Sequence, residues 1–142
     1  MCKQILLCLL AAGTLSSAYA GEKQLELSRY TLAYSGGEGY QVWITRYGPK
    51  EKHESLVQIT GIDHKLDGRV MRAREEYSGN GIAYFATIDG KSVELVKVEG
   101  QRAVLNITGA PWKSDLCYDK SLAAERPPQH LLSAYQDQSQ KQ

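Results

Sequence analysis

Three histidines, His53, His64 and His130, and the cysteine Cys117 are the first places to look for metal or nucleophilic chemistry in this chain. None of them falls in a ligand spacing such as H-E-x-x-H or C-x-x-C. Asp63-His64 with Asp67 is the only local group of metal-capable side chains. A calcium loop normally supplies six or more oxygen ligands, so two carboxylates beside Asp67-Gly68 read as a polar turn, and neither a tightly held metal nor another cofactor is expected. Ser78 stands in Tyr-Ser-Gly-Asn-Gly. That is not the G-x-S-x-G elbow, which needs glycine on both sides of the serine and a strand-to-helix setting. Glu75 and Glu76 are adjacent, so on a strand they point to opposite faces and cannot share a proton. No catalytic constellation is visible, and the expectation is a non-enzyme. A hydrolase whose residues meet only in three dimensions stays open as an alternative.

The stretch that must position any site runs from Arg69 to Thr108. Its apolar-rich runs are separated by Ser78-Gly79-Asn80-Gly81, Asp89-Gly90 and Glu99-Gly100-Gln101. Asp-Gly between β-branched or aromatic runs is a strong hairpin signal, because a type I′ turn needs positive φ at both central residues. A four-stranded antiparallel meander is predicted. Its first strand places Met71, Ala73, Glu75 and Tyr77 on one face, with Val70, Arg72, Arg74 and Glu76 on the other. The chain before it is also β-rich. Leu25 and Leu27 alternate, the phase then shifts to Tyr30, Leu32 and Tyr34, and a bulge is expected near Ser28-Arg29. Tyr40, Val42 and Ile44 share a face opposite Gln41, Trp43 and Thr45, and Val57 and Ile59 face together in a short strand over 56–60. About seven or eight strands joined by Gly-rich turns predict an all-β fold, a small antiparallel β-sandwich or barrel. After residue 112 the pattern changes. A short helix within 116–126 with Asp115 as a possible cap, a stop at Pro127-Pro128, and a second helical segment over 130–138 running into a frayed polar end are expected.

The first twenty residues read as an address. Lys3 gives a positive start, an apolar run follows, and Ala18-Tyr19-Ala20 fits a small-x-small cleavage pattern before Gly21. The expected division is a signal peptide over 1–20, a β domain over 21–112 and a helical or polar tail over 113–142, with a periplasmic or secreted location and no membrane span in the mature chain. Of 17 Lys and Arg only Lys3 would be lost, leaving 16 against 16 Asp and Glu. That balance lacks the basic excess of a nucleic-acid binder. Cys117 would then be the single thiol, unable to form an internal disulfide. Burial as a small hydrophobe is expected for it, with pairing to another chain as the alternative.

Ser78-Gly79, then Tyr84, then Gly90-Lys91 and the β-rich run to Leu105-Asn106 resemble the closing part of the bacterial periplasmic C-type-lysozyme inhibitors. The resemblance covers less than a quarter of the chain. It implies a small antiparallel β-barrel that inserts a loop serine and a nearby lysine into the lysozyme cleft, which would make Ser78 and Lys91 the inhibitory pair. The chain departs from that pattern in lacking the family's disulfide pair, in a longer spacing from Ser to Tyr, and in Gly-Lys where Lys-Gly stands. Tyrosine and tryptophan tolerate half-exposure and are enriched at interface hot spots. The expected partner surface is therefore Tyr77, Ser78, Asn80, Tyr84 and Lys91. The expected function is an exported inhibitor or immunity protein that blocks a protein partner such as a lysozyme-like or toxin hydrolase, with a small-ligand or cation-binding β-barrel as the alternative.

Overall fold

The computed structural model describes residues 26–140, so the expected signal segment lies outside the described residues. Eight antiparallel strands close into a barrel in which every strand pairs with its neighbours in sequence and the last pairs with the first. They are β1 (Leu32–Ser35), β2 (Gln41–Arg46), β3 (Glu54–Thr60), β4 (Val70–Ser78), β5 (Gly81–Ile88), β6 (Lys91–Glu99), β7 (Arg102–Leu105) and β8 (Ser114–Tyr118), followed by α1 (Lys120–Glu125) and α2 (Pro128–Gln140). The predicted meander is β4 to β7. Asp89 and Gly90 have φ of 51° and 79°, the type I′ pattern that Asp-Gly supports, whereas at Gly79-Asn80 only Gly79 is positive, at 60°. The expected irregularity at Ser28-Arg29 falls between an isolated Leu27–Tyr47 bridge and the start of β1.

Side-chain alternation divides the apolar residues between two cores. Tyr34, Val42, Ile44, Val57, Ile59, Met71, Ala73, Tyr84, Ala86 and Leu105 fill the barrel. Ala33, Trp43, Leu56 and Val70 point outward and are covered by Leu122, Leu131 and Leu132 of the two helices. Trp43, fully buried, anchors this second layer. Its Nε1 donates to the Leu122 carbonyl at 3.0 Å, and the Arg126 guanidinium lies 3.8 Å above its ring while also donating to Gln58 Oε1. Asp119 caps α1, its Oδ1 accepting from Leu122 N at 3.0 Å and its Oδ2 from Ser35 Oγ at 3.0 Å. These bonds to the charged form hold the Asp119 carboxyl below its ordinary pKa. The Gln138 amide at the far end of α2 accepts from Val70 N at 2.8 Å and donates to Val70 O at 2.9 Å. The β4–β5 ladder runs from the Ala73–Ala86 pair to the Ser78–Gly81 pair. The Gln138 side chain therefore stands where a strand neighbour would be, beside a cavity of about 250 Å³ between the splayed strand ends.

Four expectations for the C-terminal part are corrected. Residues 114–118 are the closing strand, so the barrel extends past residue 112, and Asp119 rather than Asp115 is the helix cap. The second helix continues to Gln140 because Leu131 and Leu132 are buried and Gln138 is tied to β4. Cys117 is exposed and unpaired among the described residues. It alternates with Leu116, which takes the inward position.

Candidate functional site: the open mouth of the barrel

The two ends of the barrel differ in chemistry. The end at which β1, β3, β5 and β7 finish is plugged. Ile62, Leu66 and Ile107 from its loops belong to the main core, and Tyr40 stacks on Trp112 with centroids 5.3 Å apart. The loop 61–68 uses its polar groups to hold this plug in place. Asp67 Oδ1 accepts from Ile62 N at 3.1 Å, and His64 Nδ1 accepts from Leu66 N at 3.2 Å. No group of three His, Cys, Asp or Glu placed to hold a metal ion occurs among the described residues.

The opposite end, where β2, β4, β6 and β8 finish, is open and polar. Three inward-facing rows change character there in the same layer. Val42 and Ile44 lead to Arg46, Val57 is preceded by Ser55, and Met71 and Ala73 lead to Glu75. Of these, Ile44, Arg46, Ser55 and Glu75 join Tyr84 and Leu32 in lining a cavity of about 180 Å³. Ser55 Oγ donates to Glu75 Oε1 at 2.8 Å. His53 Nδ1 stands 4.0 Å from Glu75 Oε2, and the Glu75 side chain is only 14 % exposed. His53 is held at φ 53°, where a non-glycine residue is uncommon, and its carbonyl accepts from Glu75 N at 2.7 Å. Burial raises the Tyr84 phenol well above its ordinary pKa, and the Glu75 charge raises it further. Arg46 Nε is shielded from solvent and has no hydrogen-bond partner among the described residues.

The rim of this mouth is aromatic. Large hydrophobic side chains left exposed are Tyr30 at 70 %, Tyr77 at 65 %, Leu32 at 39 % and Tyr118 at 38 %. Tyr30 and Leu32 line the cavity. Tyr77 follows Glu75 on the inner row of β4 and meets the His53 ring edge-on at 5.7 Å. Tyr118, at the mouth end of β8, packs edge-on against Tyr34.

The residues expected at a partner surface are only partly brought together. Tyr77, Ser78 and Asn80 are exposed on the β4–β5 hairpin at the mouth. Tyr84 is 3 % exposed, so its role is in the floor of the cavity and not on a binding surface. Lys91 pairs with Ile88 at the plugged end of the β5–β6 hairpin, while Ser78 pairs with Gly81 at the mouth. Seven residues of β5 separate those positions, or roughly 20 Å at about 3.3 Å per residue. Ser78 and Lys91 therefore stand at opposite ends of the barrel and are not the adjacent pair that the resemblance implied. Tyr30, Arg46 and Ser55 were not anticipated. For Arg46 and Ser55 the available signal was parity, since each continues an inward-facing apolar row to its polar end.

Chemically, the cluster has the order serine–carboxylate–imidazole, with Glu75 between Ser55 and His53. A nucleophilic relay of the serine–histidine–acid kind places the imidazole between the hydroxyl and the acid, and this cluster does not have that order. No helix among the described residues is long and apolar enough to cross a membrane. Comparison with family models, with curated proteins and with solved structures finds no match to the chain.

Proposed function

We propose that the chain is an exported, non-enzymatic binding protein that engages an enzyme through the open mouth, acting as an inhibitor or immunity protein against a cell-wall-degrading or toxin hydrolase. The observation that carries this reading is the gathering of Tyr30, Leu32, Tyr77 and Tyr118 around one polar opening. Tyrosines on a rigid rim give large contact area at low entropic cost, and they are common anchors of protein interfaces. The hairpin carrying Ser78 and Asn80 projects from the same rim and adds hydrogen-bonding groups. At the mouth, size favours a protein over a small molecule. Pockets for drug-sized ligands measure roughly 300–1,000 Å³, whereas the mouth cavity is about 180 Å³ and the barrel below it is filled by side chains. Export rests on the pattern of residues 1–20 alone.

The test uses the chain from Gly21 onward. Inhibition of a C-type lysozyme acting on peptidoglycan is measured first, followed by affinity capture from cell-envelope and extracellular fractions. Wild type is compared with Tyr30→Ala/Tyr77→Ala. Both rim residues are exposed, so the melting temperature should hold. Binding of the enzyme should fall by about 30-fold or more if they are anchors. A partner held equally by both proteins removes the mouth as the site. Absence of any stoichiometric protein partner, with a small molecule co-purifying instead, favours the ligand-binding alternative.

A further inference from the structure

We infer that the mouth is a carboxylate site, in which the Arg46 guanidinium grips an acidic side chain that the bound protein inserts past Tyr30. This rests on the reading that a protein occupies the mouth, and it names the chemistry the mouth selects.

The inference starts from a mismatch between the two charged groups in the cavity. Glu75 Oε1 already accepts from Ser55 Oγ at 2.8 Å, and His53 Nδ1 stands 4.0 Å from Oε2. Arg46 Nε, by contrast, is buried without an acceptor, and Arg46 forms no ion pair among the described residues. Arginines on the outer wall show the contrast. Arg72 lies 2.5 Å from Glu54, and Arg74 lies 3.0 Å from Glu76. A guanidinium stays charged in proteins and presents a planar fork of five donors that matches a carboxylate. A buried N–H left unmade costs free energy that an incoming acceptor would recover. Glu75 keeps its negative charge in the same cavity, so an incoming carboxylate is held where it reaches Arg46 on the side away from Glu75.

Size narrows the ligand further. The cavity of about 180 Å³ is smaller than the roughly 300–1,000 Å³ of pockets that take drug-sized ligands. A glutamate side chain, with five heavy atoms, suits a recess of that size. Tyr30 and Leu32 supply apolar walls for the methylenes. The occupant is therefore an aspartate or glutamate presented on a projecting part of the partner.

Acetate is the probe, titrated into the isotopically labelled chain at constant ionic strength against chloride. The readout is the Arg46 Nε–Hε resonance. Acetate should shift it saturably, with half-saturation on the order of 10–100 mM, as expected for so small a fragment. Arg46→Gln, checked for an unchanged melting temperature, should abolish anion-dependent shifts at neighbouring Ser55 and Tyr84, and Arg46→Lys should retain a weakened response. No saturable shift up to about 0.5 M acetate, or equal shifts in Arg46→Gln, overturns the inference. Partner binding separates the two levels. If Tyr30→Ala/Tyr77→Ala loses the enzyme and Arg46→Gln keeps full affinity, the mouth reading stands and the carboxylate grip falls. If acetate titrates at Arg46 but no protein binds through the rim, the anion site stands and the protein-binding function falls.

Discussion

Replacing Gln138 by alanine removes two hydrogen bonds that hold α2 against the seam between β4 and β5. Each bond is worth about 0.5–1.5 kcal/mol net, so the pair contributes roughly 1–3 kcal/mol. Alanine returns a few tenths through its higher helix propensity. Water entering the adjoining cavity also re-satisfies part of Val70, and the expected net loss is about 1–2 kcal/mol. Gln138→Glu is the sharper variant. A carboxylate still accepts from Val70 N, but it cannot donate to Val70 O and sets a negative oxygen against it. At neutral pH this change should therefore cost more than alanine. The sign with pH follows from linkage. Repulsion raises the introduced carboxyl's pKa in the folded state above its ordinary value of about 4.3, so the penalty is complete well above that folded pKa and disappears as pH falls below about 4. Urea denaturation at pH 7 and pH 4 measures both effects, and hydrogen exchange at the Val70 amide reports the bond directly. The reasoning is refuted if alanine costs less than about 0.3 kcal/mol with an unchanged m-value, or if glutamate at pH 7 is no worse than alanine.

Two further outcomes follow from the C-terminal region. Because the Asp119 carboxyl is held below its ordinary pKa by Leu122 N and then by Ser35 Oγ, its charge contributes stability that is complete above about pH 3.9. That contribution is lost as pH falls through the lower folded pKa. Parent and Asp119→Asn should differ at pH 6 and converge on acidification in paired melting curves, and a gap that persists below pH 2 counts against the assignment. Cys117 is exposed, so a maleimide should label it stoichiometrically in the folded protein, and Cys117→Ser should unfold within about 0.5 kcal/mol of the parent. Labelling that requires denaturant would show the thiol to be covered.

The meander was legible because its turns carry their own instruction. Asp89-Gly90 demands a tight hairpin wherever it sits between strand formers, and the inward rows of β2 and β3 follow from alternation alone. Strand β8 was not legible. Its five residues offer one buried side chain, Leu116, and its partners β1 and β7 are set by closure of the whole barrel, which no local window contains. Cys117 was misplaced for the same reason, since average burial of the residue type is outweighed by its parity with Leu116. Ser78 and Lys91 misled through closeness in sequence, because an extended strand between two hairpins carries near neighbours to opposite ends of the fold. The mouth cluster was half legible. Glu75 could be assigned to the face of Met71 and Ala73, yet nothing in one strand reveals that Ser55 and Arg46 reach the same layer.

Closure of the barrel also has a kinetic side. Every other ladder joins strands adjacent in the chain, so the sheet can grow hairpin by hairpin with little loop entropy lost at each step. The last seam is different. Strands β1 and β8 share only the pairs Tyr34–Tyr118 and Ser35–Cys117, and the Ser35–Asp119 bond that reinforces them spans 84 residues. Without that seam the chain is an open sheet with two unpaired edges, the form most prone to strand addition by another copy. Bound to Ser35 and Trp43 beside the seam, α1 and its cap are placed to fasten the edgeless sheet. Refolding yield should accordingly depend on protein concentration far more steeply when Trp43 or Leu122 is truncated than when a rim tyrosine is.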